Sequence, residues 1–268
     1  MHADFTDDEV TRFSRHILLK EVGGTGQAKL RDARVLLVGA GGLGSPLLLY
    51  LAAAGVGTIG LVDDDVVDLS NLQRQIAHTT DRVGASKVAS AAAAAHAIHP
   101  GTHIEPYEFR LDAGNAIDLV SRYDLVCDGS DNFDTRFLVA DACVLARRTL
   151  VSAAVLRFDG QLSTFKPHAD PDGPCYRCLH PAPPPPGEIP TCSEAGVLGA
   201  VTGVMGTMQA TEVLKEIMGI GEGLSGRLLI WDALCARVRV IRLKRDPACP
   251  LCGPGARITS LDSPARAA

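Results

Sequence analysis

The pattern of apolar positions along residues 34–155 alternates between short runs and longer segments of helical period. The short runs predict strands at 34–38, 58–63, 103–108, 123–127 and 149–155. The segments between them predict helices at 43–54, 87–98, 114–121 and 132–147. Because strands and helices alternate, the pattern predicts an α/β fold with a mostly parallel, doubly wound sheet.

The first residues show a helix signal of their own. Thr6 is followed three residues later by Glu9, which is the spacing of a capping box. Val10, Phe13 and Ile17 then recur at helical spacing. We therefore expect N-terminal helices within residues 6–31.

After residue 155 the pattern changes. "LRFDGQLSTF" predicts a strand that turns at Asp159-Gly160, and "PAPPPPGEIP" predicts a stiff extended segment. "AGVLGAVTGVMGTMQA" predicts a buried helix, and "RLLIWDAL" with "RVRVIRLK" predicts an antiparallel hairpin that extends the sheet. We expect one domain over 1–253, with an α/β core at 34–155, a β extension at 156–253 and a flexible tail at 254–268.

Composition excludes several classes of protein. The 268 residues are 46% hydrophobic with a net charge of −5, so the chain can bury a large core, and a nucleic-acid partner is not expected. The N-terminus lacks the basic and apolar regions of a signal peptide, and the most apolar later stretch is too short to span a membrane. Eight cysteines without an export signal predict thiols or metal ligands in a reducing cytoplasm.

A glycine-rich turn joins the first predicted strand to its helix. Gly39, Gly41, Gly42 and Gly44 lie in this turn, where backbone N–H groups and a helix N-terminus favour phosphate. Asp63 ends the next strand, where its carboxylate could accept hydrogen bonds from ribose hydroxyls. Alone, this Rossmann-like pattern also fits an NAD- or FAD-dependent oxidoreductase.

Charged residues beyond the turn favour a different ligand. Arg74 lies in a polar cluster with Asn71 and Gln75, Lys87 opens the next helix, and Asp131 follows the fourth core strand. Cations and an acid around one nucleotide favour a triphosphate with Mg²⁺. The alternative is that Arg74 and Lys87 are solvated surface charges and that Asp131 caps the helix beginning at Asn132.

The cysteines form two matched pairs. Cys175 and Cys178 share the C-x-x-C spacing of Cys249 and Cys252, and four thiolates suit a closed structural Zn²⁺ site. The alternative, a redox pair, needs only one such motif and a thioredoxin-like context. Cys192 follows the proline run and remains open between a reactive and an inert role.

Seven motifs occur in order along the chain: "GAGGLG", "DLSNLQRQ", "VGASK", "DGSDN", "CYRC", "TCSEAGV" and "CPLC". From about Asp7 to Gly253 they resemble the ThiF/MoeB/HesA-type E1-like adenylyltransferases, relatives of the ubiquitin-activating enzymes. The resemblance implies activation of the C-terminal Gly-Gly carboxylate of a ubiquitin-like sulfur-carrier protein. The carboxylate would attack the α-phosphate of ATP, releasing pyrophosphate and leaving an acyl-adenylate.

The resemblance also implies roles for single residues. Gly42 would contact the nucleotide, Asp63 the ribose, and Asp131 would hold Mg²⁺. Arg15 would reach across a homodimer to the partner's ATP, and Cys192 would correspond to a cysteine that bonds covalently to carrier or sulfur in some members. Asn71, Arg74 and Lys87 would contact the phosphates, and the predicted nucleotide site further includes Gly39, Gly41, Gly44, Asp65, Ser70, Leu72, Gln73 and Asn132.

Three functions are compared. An ATP-dependent adenylyltransferase accounts for the whole set of residues, whereas an oxidoreductase lacks a nicotinamide-facing acid or base, and a non-catalytic scaffold would not need the phosphate-handling residues. The pathway stays open among molybdenum cofactor, thiamine and tRNA thiolation. Because the sequence ends soon after the second cysteine pair, we expect the sulfur donor to be a separate protein.

Overall fold

The computed structural model describes residues 5–185, 188, 195–263 and 266. Within them, eight strands form one sheet in the order β3-β2-β1-β4-β5-β6-β7-β8. The strands are β1 Arg34–Val38, β2 Thr58–Val62, β3 His103–Tyr107, β4 Leu125–Asp128, β5 Thr149–Leu156, β6 Asp159–Phe165, β7 Arg227–Asp232 and β8 Arg237–Arg242.

The sheet changes direction at β5. Strands β1 to β5 pair in parallel, and β6, β7 and β8 continue the sheet antiparallel. The chain moves outward from β1 to β2 and β3, and then returns to the other side of β1 to form β4. This reversal leaves a crevice at the carboxyl ends of β1 and β4, where open α/β sheets bind ligands.

Helices cover both faces of the sheet. The helices are α1 Asp7–Ile17, α2 Gly23–Asp32, α3 Gly44–Ala54, α4 Lys87–Ile98, α5 Ala116–Ser121, α6 Phe133–Leu145, α7 Tyr176–Leu179 and α8 Gly199–Met218, with 3-10 turns at Leu69–Asn71 and Thr80–Arg82. Buried residues of α3, α4 and α8 share one apolar cluster with the sheet, and those of α5 and α6 share the cluster on the opposite face. This is the doubly wound arrangement that the alternating pattern predicts.

Most predicted elements are confirmed within a few residues. The buried helix is α8, with 20 residues, and the expected C-terminal hairpin is β7 and β8. The turn predicted at Asp159-Gly160 is wrong: Leu156 pairs with Asp159, so the turn consists of Arg157 and Phe158, and Arg157 takes a positive φ of 55°. Gly160 instead packs against α8, because an added Cβ would lie 2.4 Å from the Met205 sulfur and would force that side chain to move.

The segment after Gly253 differs from the expected flexible tail. Ile258 is buried in the cluster that contains the paired cysteines, and Leu261 is buried in the cluster with α6. Arg266 reaches back to Asp141 on α6 with 2.7 Å between Nε and Oδ2. Within the described residues of this segment, long-range packing therefore fixes Ile258, Leu261 and Arg266, although the local composition is typical of a loop.

None of the helices in the described part of the chain combines the length and the apolar character needed to cross a bilayer.

Candidate active site

A large cavity opens at the carboxyl ends of the parallel strands. It has a volume of about 1030 Å³ and is bounded by the glycine turn, the ends of β2 and β4, and the start of α6. The predicted site residues that line it are Gly39, Gly41, Gly42, Asp63, Asp65, Arg74, Lys87, Asp131 and Asn132.

The glycine turn is shaped by close backbone approaches. Gly39 has a φ of +97°, and an added Cβ would lie 3.1 Å from the carbonyl oxygen of Gly129. Gly44 does not line the cavity, but its Cβ would lie 1.9 Å from the carbonyl oxygen of Gly39. Only glycine fits these positions, which let the turn bring the N-terminus of α3 to the cavity.

Asp63 anchors the turn while facing the cavity. Its Oδ2 accepts a hydrogen bond from Ala40 N at 2.7 Å, and its Oδ1 accepts from Asp65 N at 2.9 Å. Burial raises the pKa of Asp63 against the opposing effect of these N–H donors and of Lys87. The carboxylate thus fixes the turn relative to β2.

His78 binds the backbone carbonyl of Ala40, whereas Asp63 binds its N–H group. Its Nε2 lies 3.0 Å from Ala40 O, and because a carbonyl only accepts, Nε2 carries the proton. Nδ1 then accepts from Ser90 Oγ at 2.9 Å. Burial lowers the pKa of His78, so the neutral ring is the form that supports the turn. The sequence analysis did not identify His78, since a single histidine carries no local signal.

Both predicted cations line the cavity but have different surroundings. Lys87 is buried and its Nζ lies 2.7 Å from Asp65 Oδ2. Arg74 is partly exposed, and its Nη1 donates to Ser70 O at 3.0 Å. The alternative that both are solvated surface charges is wrong for Lys87, whose ammonium is held at the cavity wall.

The predicted residues of the 3-10 turn lie outside the cavity lining. Ser70 Oγ donates to Asp68 Oδ1 at 2.6 Å, and Asn71 Oδ1 accepts from Asp68 N at 3.1 Å. These two side chains close the turn, while Leu72 and Gln73 are not among the lining residues. Their predicted contacts with nucleotide remain predictions.

The loop after β4 presents two acids in different ways. Asp128 is fully buried, and its oxygens accept from Ser130 Oγ at 2.6 Å and Ser152 Oγ at 2.9 Å. Asp131 is exposed at the cavity. Asn132, and not Asp131, caps α6 by accepting from Thr135 N at 2.9 Å, so the capping alternative for Asp131 is wrong.

Several lining residues were missed by the sequence analysis. Phe109 and Arg110 follow β3, and Arg136 lies in the first turn of α6. The rule that ligands collect at carboxyl strand ends could have identified the first two. Arg136 reaches the site because its Nη2 donates to Ser130 O at 2.8 Å, a contact that no local pattern predicts.

The cavity continues over the antiparallel part of the sheet. Gln161 on β6 and Leu228 and Ile230 on β7 form its floor, and residues 182–185 of the proline-rich segment line it as well. The cavity is therefore a nucleotide-sized crevice joined to a groove with a largely apolar floor.

Arg15 is also absent from the residues that line this cavity. Arg15 is exposed on α1, and within the described chain its guanidinium has no hydrogen bond or ion pair. Cys192 lies outside the described residues, so its predicted role stays a prediction.

The four paired cysteines converge on one point. Their sulfur atoms all lie within 4.8 Å of one another, with 3.9 Å between Cys175 and Cys178, 3.5 Å between Cys175 and Cys249, and 3.4 Å between Cys178 and Cys252. Tetrahedral zinc with Zn–S bonds of about 2.3 Å needs edges of about 3.8 Å, so the donors fit zinc. Hydrogen bonds from neighbouring thiols, chiefly Cys175, lower the pKa of Cys178.

Known proteins are similar to this chain in sequence and in fold. A model of the ThiF family matches residues 13–251. The chain is 52% identical to the Bos taurus protein named adenylyltransferase and sulfurtransferase MOCS3, over 97% of this chain and 56% of that protein. It is 48% identical to a Thermus thermophilus sulfur carrier protein adenylyltransferase, over 93% of each.

A solved structure supports the fold. The structure of E. coli MccB with MccA-N7isoASN superposes with a TM-score of 0.80 at 21% identity, covering 92% of this chain and 76% of that one. The chain spans just over half the length of MOCS3, 56%, but nearly all of the Thermus relative. The resemblance drawn from the seven motifs is confirmed, and the chain belongs to the ThiF family.

Proposed function

We propose that this protein is an ATP-dependent adenylyltransferase that activates the C-terminal Gly-Gly carboxylate of a ubiquitin-like sulfur-carrier protein. The observation that carries the proposal is the continuity of one cavity, which joins the glycine turn, Lys87 and Asp131 to a groove floored by β6 and β7. A nucleotide site and a site for an extended peptide therefore meet within one space. The names of MOCS3 and of the Thermus relative support this assignment.

The reaction poses an electrostatic problem that these residues address. A C-terminal carboxylate has a pKa of about 3.5 and is ionised at neutral pH, so it needs no general base. It must approach the α-phosphate of a polyanion. Lys87, Arg74 and the N–H groups of the glycine turn offset that repulsion, as preorganised donors and cations do in phosphoryl chemistry.

The proposed step conserves all atoms. A carboxylate oxygen forms a bond to the α-phosphorus, the bond from that phosphorus to the bridging oxygen breaks, and pyrophosphate leaves with its electron pair. Lys87 and Arg74 stabilise the negative charge that grows on the leaving group. Asp63 holds the ribose and, through Ala40, the turn itself.

The site also fits a divalent cation. Asp131 is exposed at the cavity, where a carboxylate oxygen is the ligand that Mg²⁺ prefers. When bound, Mg²⁺ would neutralise charge on the triphosphate. The nearby buried Asp128 is engaged by Ser130, Ser152 and Arg136, which leaves Asp131 as the carboxylate that this loop presents.

The carrier would lie along the antiparallel strands. Residues paired across antiparallel strands project to the same side, so Arg239 and Ile241, which pair with Ile230 and Leu228, share the cavity face. This face runs from the nucleotide crevice to an exposed basic strand edge. It suits a carrier that lays an extended tail into the groove and places acidic side chains near Arg239.

The remaining parts of the proposal concern assembly. Cys175, Cys178, Cys249 and Cys252 would hold a structural zinc ion that fixes the segment after β8 to α7. Arg15 would complete the site of the partner in a homodimer, and sulfur would come from a separate donor protein. We propose residues 1–253 as a single adenylation domain; nothing in the comparisons supports the oxidoreductase alternative.

Pyrophosphate exchange tests the proposal. Labelled pyrophosphate should enter ATP only when a ubiquitin-like protein ending in Gly-Gly is added, with such proteins from the source genome tried in turn. The control is the same carrier without its final glycine. No exchange with any carrier, or stabilisation of the protein by NADH but not by ATP in thermal melts, would overturn it.

A further inference from the structure

The C-terminal segment is tied to the wall of the cavity through a buried charge cluster. Asp141 on α6 is fully buried and accepts from Arg177 twice, at 2.7 Å from Nε and 2.9 Å from Nη2. Arg266 adds a third hydrogen bond, with 2.7 Å between its Nε and Asp141 Oδ2. Two arginines therefore share one carboxylate in the interior.

Arg177 connects this cluster to the proline-rich segment. It is 1% exposed and lies between Cys175 and Cys178, and its Nη1 donates to Pro181 O at 2.9 Å. Tyr176, Leu179, His180 and residues 182–185 line the cavity, whereas Arg177 does not. Arg177 thus lies behind the residues that line this wall and binds the segment to which they belong.

Arg266 restricts the position of Arg177 in two ways. It holds the carboxylate to which Arg177 is bound, and its carbonyl accepts from Arg177 Nη2 at 3.3 Å. Its own Nη1 donates to Leu261 O at 2.7 Å, which closes the segment on itself. Buried ion clusters often add little stability compared with apolar packing, so we assign to this cluster a role in fixing the position of Arg177.

We propose that Arg266 is a positioning residue: through Asp141 it holds Arg177 where it fixes the Pro181 carbonyl, and so it sets the wall of the groove that receives the carrier's tail. The proposal rests on the proposed function for the identity of the occupant. It assigns the segment after Gly253 to carrier binding and not to ATP binding. None of the hydrogen bonds of Arg177 reaches the glycine turn, Lys87, Arg74 or Asp131.

The test compares Arg266→Ala with Arg257→Ala. Arg257 is an exposed arginine of the same segment, and within the described chain its side chain makes no hydrogen bond or ion pair. Arg266→Ala leaves the Asp141–Arg177 ion pair intact, with its two charges balanced, so we expect the fold to be preserved. In pyrophosphate exchange, Arg266→Ala should raise the KM for the carrier by up to about tenfold, the limit reached when reordering the wall on binding costs as much as one hydrogen bond between charged groups. The KM for ATP, kcat and zinc content should stay unchanged.

Arg266→Lys should recover part of the loss, because an ammonium retains one hydrogen bond to Asp141 but not the second one to Leu261. An unchanged KM for the carrier, an equal effect of Arg257→Ala, a parallel rise in the KM for ATP, or loss of zinc would each overturn the proposal.

Hydrogen exchange separates this proposal from the proposed function. In wild type without ligand, the amides of Cys178 and His180, which donate to Cys175 O and Tyr176 O, should be protected, and Arg266→Ala but not Arg257→Ala should accelerate their exchange. If no carrier supports exchange of pyrophosphate, the proposed function fails, and unaltered amide exchange in Arg266→Ala would independently sink the positioning role.

Discussion

Lys87 and Asp65 form an ion pair in which the cation is 8% exposed and the carboxylate 67% exposed, with 2.7 Å between Nζ and Oδ2. Asp65, at the mouth of the cavity, is therefore the acid that touches the ammonium, and Asp63 adds a second electrostatic attraction. A bound triphosphate would supply negative charge there as well, since it would occupy the same space.

Asp65→Asn should consequently lower the melting temperature of the free protein by about 3–6 °C, because a buried ammonium loses its charged partner. ATP should restore stability, so the ATP-induced shift should exceed that of wild type. Thermal melts with and without ATP measure both effects. Asp64→Asn, at the exposed neighbouring acid, is the control, and an ATP-induced shift no larger than wild type's would contradict the prediction.

Asp131→Ala should reduce pyrophosphate exchange by about 10³-fold, the order of effect for losing one charge-stabilising group at a phosphoryl centre. The melting temperature should barely change, since Asp131 is exposed. Arg74→Ala and Lys87→Ala should each cost less because the cations share the charge. Asp134→Ala is the matched control, three residues away and outside the cavity lining; near-normal exchange by folded Asp131→Ala would remove Asp131 from the site.

Arg239→Glu should raise the KM for the carrier at least tenfold at low salt, and the KM for ATP should not change. The reason is its position on the cavity face of β8, beside Ile230, and surface charge of this kind loses its effect as salt rises. Arg242→Glu is the control for the side of the sheet. Arg242 pairs with Arg227 and projects to the side away from the cavity. Equal effects of the two variants would show that net charge, and not this face, matters.

Arg15→Ala should be poorly active alone, although its fold is intact. Mixed with inactive Asp131→Ala under conditions that exchange subunits, it should recover part of the wild-type activity, because a mixed dimer has one site without either defect. Arg12→Ala, whose lost contact is to Ile98 O of the same chain at 2.9 Å, should be as active as wild type. No recovery, with subunit exchange confirmed by mass, would place Arg15 outside the partner's site.

Metal analysis should find one zinc ion per chain in protein purified without chelator. Cys252→Ser should lose the zinc and lower the melting temperature, while kcat for exchange stays near wild type, because four protein thiolates leave no open coordination position. Cys235→Ser, at an exposed cysteine outside the cluster, should change neither. Protein that contains no zinc would rule out the site.

The regular elements and the cavity side of the sheet were predictable because their signals are local. Lys87 begins α4 and Asp131 follows β4, so strand and helix ends alone place both near the crevice. The Asp159-Gly160 pair gave a wrong turn prediction. Gly160 lies in a strand and packs against Met205, which is far along the chain. His78 and Arg266 were not found for the same reason: each acts on a residue 38 or 125 positions away, and no local period encodes such a pair.

The cysteine cluster imposes an order in time on the newly made chain. Cys249 and Cys252 follow their partners Cys175 and Cys178 by 74 residues, which is about 4–15 s of synthesis at 5–20 residues per second. All five parallel strands precede Cys175. The nucleotide-binding half can therefore fold while the first two thiols wait unpaired, exposed to oxidants or to a competing metal. The second pair emerges after α8, β7 and β8, so the cysteine cluster cannot be completed until those elements have been synthesised.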